Sequence, residues 1–148
     1  MVLIDKRDYV LSPKSTIVLD ALSQCIVLGT KNHIFLLPIS TMEGAGNTIT
    51  TTKTSIGGLP ALAGLEAKLT SIDSIQELEA WMTKLITEDL NLSKASYVLK
   101  IAELEEFNIK FGLLSKGLYY KAPHQKRRNG IGGISKKTLQ DFQEFYGK

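Results

Sequence analysis

The side chains best suited to chemistry lie in "KAPHQKRRNGIGGISKKTLQ", residues 121–140. This stretch holds six Lys and Arg, one histidine, three glycines and no acid. A short amphipathic helix is predicted to follow it. If that helix starts after "GIGGIS", Ser135 is its N-cap. Lys136 and Lys137 then fill the first turn, where cations oppose the helix dipole by roughly 0.3–1 kcal/mol each. An anion held at the free amides would reverse that sign. Gly132 and Gly133 would let backbone approach it closely. With Lys126, Arg127 and Arg128 just upstream, these eight residues form a candidate anion site: Lys126, Arg127, Arg128, Gly132, Gly133, Ser135, Lys136 and Lys137. The spacing is not that of a Walker loop, and no crossover follows as a dinucleotide fingerprint requires. The plain alternative is a solvated loop between a hairpin and a helix.

Other chemistry finds less support. The two histidines, His33 and His124, have no ligand-spaced partner, and the single Cys25 has no Cys-x-x-Cys mate, so a zinc site is not indicated. No serine sits in a G-x-S-x-G elbow. Glu103 and Glu106 would share a face if 97–107 were helical, which could make an acid–base or metal pair; a solvated acidic face explains them more simply. No catalytic residue, metal or cofactor is assigned.

Charge is unevenly spread. The whole chain carries +3. Residues 1–65 carry a net +1, residues 66–106 a net −5 and residues 107–148 a net +7. From Phe107 through Gln140 there are eight Lys or Arg and no acid. Such a run either packs against the acidic middle and cancels, or stays open and creates a local field for an anionic partner.

The elements that must position these residues can be read from periodicity. "QCIVL" and "HIFLLPI" flank "GTKN" and read as a hairpin buried on both faces, with Pro38 at an edge or an end. "TIVLDAL" adds β structure upstream, and "DYVLSPK" a short first strand that stops at Pro13. "TITTTKT" reads as an exposed strand with a loose "EGAGN" tip. "LPALAGLEAKL" favours a helix, weakened by Gly64. "SIQE" at 74–77 is a capping box. Ile75, Leu78, Trp81, Met82, Leu85 and Ile86 then repeat at helical spacing, predicting a helix over 74–89 with Trp81 as a core anchor. Residues 97–107 fit helix and strand alike. Phe107, Ile109 and Phe111 alternate with polar residues, "SKG" offers a turn, and "LYYKA" returns, predicting a second hairpin. Leu139, Phe142, Phe145 and Tyr146 share one face of a closing helix that ends at Gly147.

The order predicts one α+β domain over 1–148: an antiparallel sheet built from two hairpins, packed by a central helix and a C-terminal helix. Hairpins, a curved sheet and a closing amphipathic helix also resemble the general plan of pleckstrin-homology-like domains, which implies a barrel plus helix and binding rather than catalysis. "SIGGL" at 55–59 echoes "GIGGI" at 130–134, and "SIQELEAW" echoes "TLQDFQEF", raising an internal duplication. A length of 148 residues suffices for a core without staples. One thiol cannot form an internal disulfide, which fits a reducing, cytoplasmic setting, with Cys25 buried and inert. "MVLIDKRDYVLSPK" lacks the roughly 7–15-residue apolar core of a signal peptide, and no window approaches the ~20 apolar residues of a membrane helix. The expected function is a soluble, non-enzymatic intracellular binding module. Its basic C-terminal patch would take an acidic protein surface, a phosphorylated group or a lipid headgroup. Nucleic acid is less favoured, because only Tyr119 and Tyr120 lie near the patch to stack on bases. A homo-oligomeric assembly protein is the first alternative, and a small enzyme with an unrecognised site the second.

Overall fold

The first strand passes straight through a proline. β1 spans Val10–Val18 and pairs antiparallel with β2, Leu22–Gly29. The register slips between Ser12 and Ser15, so Pro13 and Lys14 together oppose Ile26 alone. A two-against-one bulge on an edge strand is where a residue without an amide proton costs least. The bulge is held by its own serines: the buried Ser12 hydroxyl donates to the Lys14 carbonyl at 2.8 Å, and Ser15 donates to the Cys25 carbonyl at 2.8 Å. The expected stop at Pro13 is therefore replaced by a bulge. The computed structural model describes residues 8–18, 22–45 and 48–148; through 41–45 and 48–52 the description is of the backbone alone. The "LDA" part of the upstream β segment and the "GN" of "EGAGN" lie outside the described residues.

β2 turns at Thr30–Asn32 into β3, His33–Ala45. Pro38 lies inside β3, not at its end. On one side it faces Cys25 beside a second slip in register. On the other side β3 is paired at 33–35 by β7, Val98–Lys100, and at 40–45 by β4, Thr48–Lys53. Pro38 falls in the gap between those partners, where no ladder amide is called for. Cys25–Gly29 and Ile34–Pro38 are buried without alternation, as expected of strands covered on both faces.

A two-residue hairpin follows, β5 (Ser55–Ile56) and β6 (Leu59–Pro60), turned by Gly57 and Gly58 at φ of 58° and 79°. The next helix, α1 (Ala61–Leu69), crosses it so closely that a Cβ on Gly64 would lie 2.5 Å from Ile56. Gly64 is thus retained for packing. α2 spans Ile75–Lys84, with the Ser74 hydroxyl accepting from the Glu77 amide at 3.1 Å, and continues as a π-turn over Leu85–Asp89. Leu78, Met82, Leu85 and Ile86 are buried, and Trp81 packs against the core half-exposed with the Lys68 ammonium 5.6 Å from its ring.

The ambiguous segment uses several local structures: α3 (Lys94–Tyr97), then β7, then a 3-10 turn over Ile101–Glu103. The second hairpin comprises β8 (Glu106–Phe111) and β9 (Lys116–Lys121), with β10 (Asn129–Ile131) added on the far side of β9. The closing helix α4 spans Lys136–Tyr146 and ends on Gly147 at φ 67°. The protein is α+β with antiparallel sheets and no closed barrel, so the barrel alternative does not hold. The two hairpins lie in separate sheets, of five and three strands, joined through paired hydrogen bonds of 2.8 and 3.0 Å between Thr16 and Gly132. "SIGGL" makes a tight turn and "GIGGI" makes a strand and a bridge, so the two echoes fold differently.

A polar cluster fixes these layers at the β2–β3 turn. Thr30 is fully buried; its amide donates to the His33 carbonyl at 2.8 Å, and its hydroxyl donates to Glu79 of α2 at 3.0 Å. The same carboxylate oxygen meets Nδ1 of His33. Tyr146 of α4 donates its hydroxyl to the Thr30 carbonyl at 2.8 Å. Gly29 makes the space, for a Cβ there would lie 2.3 Å from the Tyr146 hydroxyl. Gly29→Ala is expected to cost about 1–3 kcal/mol by overpacking, and Tyr146→Phe about 1–2 kcal/mol through the orphaned carbonyl. In urea denaturation the double variant should cost less than the sum, because the clashing hydroxyl is gone; strict additivity would contradict this placement.

Candidate functional site

The loop between β9 and β10 carries the first half of the predicted site. Its base is short: the Ala122 amide donates to the Gln125 side chain at 3.0 Å, and the Gln125 amide to the Ala122 carbonyl at 3.0 Å. That local turn projects Lys126, Arg127 and Arg128, all exposed. Their fates differ. Arg128 Nε donates to Glu106 at 2.8 Å, and the neighbouring Lys121 pairs with Glu105 at 2.5 Å. Lys126 and Arg127 have no hydrogen-bond or ion-pair partner among the described residues. They line a shallow cleft of about 380 Å³ with Val18, Ser96, His124, Gln125 and Asn129. Among the described residues no carboxylate lines it.

Sequence reasoning missed four polar members of this cleft, Ser96, His124, Gln125 and Asn129. Three of them lie inside the basic stretch and were legible as neighbours. Ser96 belongs to α3 and arrives only through the fold. Behind Gln125 and Asn129 sits Tyr120, whose buried hydroxyl closes no hydrogen bond of ordinary geometry. Burial pushes its pKa up to about 12, and the two amide side chains ease the ionised form slightly.

The glycine-rich half is used differently from the expectation that it would cradle a ligand. The Gly132 amide is already donated to Thr16 at 3.0 Å. Gly133, at φ 73°, packs so that a Cβ would lie 3.3 Å from the Thr16 hydroxyl. Gly133 lets the chain close against β1, while a Cβ on Gly132 would meet nothing within 4 Å. Ser135 does cap α4, accepting from the Thr138 amide at 3.2 Å, and Lys136 and Lys137 occupy the first turn, exposed and with no acid in that turn. These three residues do not line the cleft.

Glu103 and Glu106 are not on one helix; Glu103 is in the 3-10 turn near Lys100, and Glu106 opens β8 against Arg128. Among the described residues no group of three His, Cys, Asp or Glu is placed to hold a metal. Cys25 is fully buried, and burial pushes its thiol up to about 12, so it carries no thiolate at neutral pH. A larger cleft of about 610 Å³ lies among Tyr9, Val10, Leu11, Lys31, Asp141, Glu144 and Phe145. Its lysine is occupied by the carbonyl and ring of Phe145, and its two acids make it a poor host for an anion. No helix of the described residues is long and apolar enough to cross a membrane. No protein-family model, curated protein or solved structure matches this chain.

Two stability predictions follow from these environments. Cys25, Tyr120 and Tyr146 all have pKa values raised by burial. The unfolded chain therefore loses these protons first, from 9.0 for the thiol and 10.0 for the phenols. Stability is fully present below pH 9 and falls as pH rises towards about 12. Cys25→Ala should flatten the first part of that decline in denaturant titrations at pH 8 to 11; an unchanged slope would contradict the assignment. Separately, Lys136→Glu should stabilise the fold by about 0.3–1 kcal/mol at low salt by favouring the α4 dipole, read as a higher urea midpoint that shrinks in high salt.

Proposed function

We propose that this protein is a non-enzymatic intracellular binding module whose cleft beside the Lys126–Arg128 loop takes an anionic group. What carries this reading is the pairing pattern: Arg128 and Lys121 are neutralised by glutamates, while Lys126 and Arg127 face a concave surface that no acid among the described residues lines. An isolated surface ion pair contributes only about 0–1 kcal/mol, so stability does not require the two open cations to be grouped. Arg127 offers a planar fork for a phosphate or carboxylate, and Lys126 a point charge. Ser96, Gln125 and Asn129 add neutral donors that discriminate by geometry rather than charge. The chemistry suits a phosphorylated group better than a long polymer, because the cleft is small and, of the two neighbouring tyrosines, Tyr120 is buried and cannot stack on a base.

A thermal-shift series tests this. Inorganic phosphate, inositol hexakisphosphate and an acidic peptide would be titrated against the wild type, Lys126→Ala/Arg127→Ala and Lys136→Ala/Lys137→Ala. A ligand specific for the native state raises the midpoint; at 100 times its Kd the gain is about 2.7 kcal/mol. The multiply charged phosphate should raise the wild-type midpoint, and Lys126→Ala/Arg127→Ala should abolish the rise. A loss confined to Lys136→Ala/Lys137→Ala would move the site to the start of α4. No response from the wild type to any of the three anions would sink the proposal.

A further inference from the structure

The β8–β9 hairpin carries a second surface, at the opposite end from the cleft. Phe111 pairs with Lys116, and Lys110 with Gly117, so the turn is Gly112–Leu113–Leu114–Ser115 rather than the expected "SKG". That register places two leucines at the very tip. Leu113 and Leu114 are 104% and 102% exposed, as open as in an extended peptide, and Phe111 on the last rung is 37% exposed. The other exposed large apolar side chains among the described residues retain at least part of their surface against the fold. Adjacent leucines at full exposure gain nothing from folding and invite association. Around them the chain is cationic. Lys110 and Lys116 stand on the last two rungs, Lys110 with its ammonium 4.9 Å from the Tyr119 ring, and no acid occurs between Phe107 and Gln140.

We infer that this tip is a membrane-contact finger: Leu113 and Leu114 enter the interfacial region of a bilayer bearing anionic lipids, and Lys110 and Lys116 stay at the headgroups. The shape favours this occupant over a second copy of the chain. A stable protein interface covers roughly 800 Å² per partner with complementary surface, which a convex tip of two side chains cannot supply. A bilayer needs no complementary pocket, and it rewards apolar insertion and positive flanks together. Two leucines and two lysines predict weak, reversible and salt-sensitive attachment. This inference concerns a different surface from the cleft and does not rest on it.

Co-sedimentation tests it, using vesicles of phosphatidylcholine alone and of phosphatidylcholine with phosphatidylserine, at low and physiological salt. The wild type should bind the anionic vesicles and not the neutral ones. Leu113→Ser/Leu114→Ser, substituted at solvent, should keep its thermal midpoint and lose binding by about tenfold or more. Lys110→Ala/Lys116→Ala should lose roughly five-fold per lysine, and Lys126→Ala/Arg127→Ala should bind vesicles as the wild type does. Absence of wild-type binding at low salt, or binding indifferent to the leucine pair, would overturn the inference. So would sizing that finds a wild-type dimer dissolved by Leu113→Ser/Leu114→Ser, because the tip would then be covered by another copy. If the cleft variant alone lost vesicle binding, the lipid would be held at the cleft, and the finger would again be refuted.

Discussion

Thr30 is the point on which the packing turns. It ends the most apolar strand of the protein, and all of its surface is buried, so every polar atom it carries must be matched inside. Its amide is matched by the hairpin turn, its hydroxyl by Glu79 and its carbonyl by Tyr146. Those partners come from α2 and α4, more than a hundred residues apart in the second case. Satisfying one buried threonine therefore fixes where both helices dock on the central hairpin. The carboxylate of Glu79 also meets His33, whose ring stacks on Phe35. A cluster with several charged or polar members in low dielectric is costly if any member is lost, so the site rigidifies the fold. It has the residue types of a catalytic dyad, yet its histidine and carboxylate are tied to each other and to the buried Thr30 hydroxyl at a turn.

The second joint is between the sheets. The three-stranded sheet would be a separate hairpin with one added strand were it not for the Thr16–Gly132 bridge. Within the small sheet a Cβ on Gly117 would lie 2.3 Å from the Ile131 carbonyl, and at the joint one on Gly133 would lie 3.3 Å from the Thr16 hydroxyl. Close packing thus accounts for Gly133 in the glycine-rich run, though not for Gly132. The run's charged neighbours need a separate explanation, and the cleft provides one.

Electrostatically, the acidic middle and the basic C-terminal third meet only in part. Glu105 and Glu106 open the second hairpin and take the bases that close it, Lys121 and Arg128. This pairing is a consequence of register, since Glu106 stands opposite Lys121 on the ladder. The loop tip lies beyond the ladder, and there Lys126 and Arg127 meet no acid among the described residues. The same logic applies at the other end of the hairpin. Leu113 and Leu114 lie beyond the last rung, and no described residue folds back over them.

The sequence by itself determined the elements whose signals are local. Ser74 with Glu77, the three-and-four repeat from Ile75 to Ile86, the turn chemistry of "GTKN" and Ser135 ahead of the last helix each depend on hydrogen bonds or faces within a few residues. They were legible because such geometry needs no distant partner. Pro13 misled, since a proline reads as a stop unless a bulge lies beside it, whereas Pro38, read as an edge or an end, sits at an unpaired edge within β3; both settings are fixed by neighbouring strands. The turn at Gly112–Ser115 was misjudged by a few residues, which hid the leucine tip, because register depends on which faces the sheet buries. Of the candidate site, the basic residues were visible as composition. Which of them stay unpaired, that Ser96 joins them, and that Gly132 spends its amide on Thr16 were decided by tertiary structure, because pairing between residues far apart in sequence is fixed only when strands and helices are brought into contact.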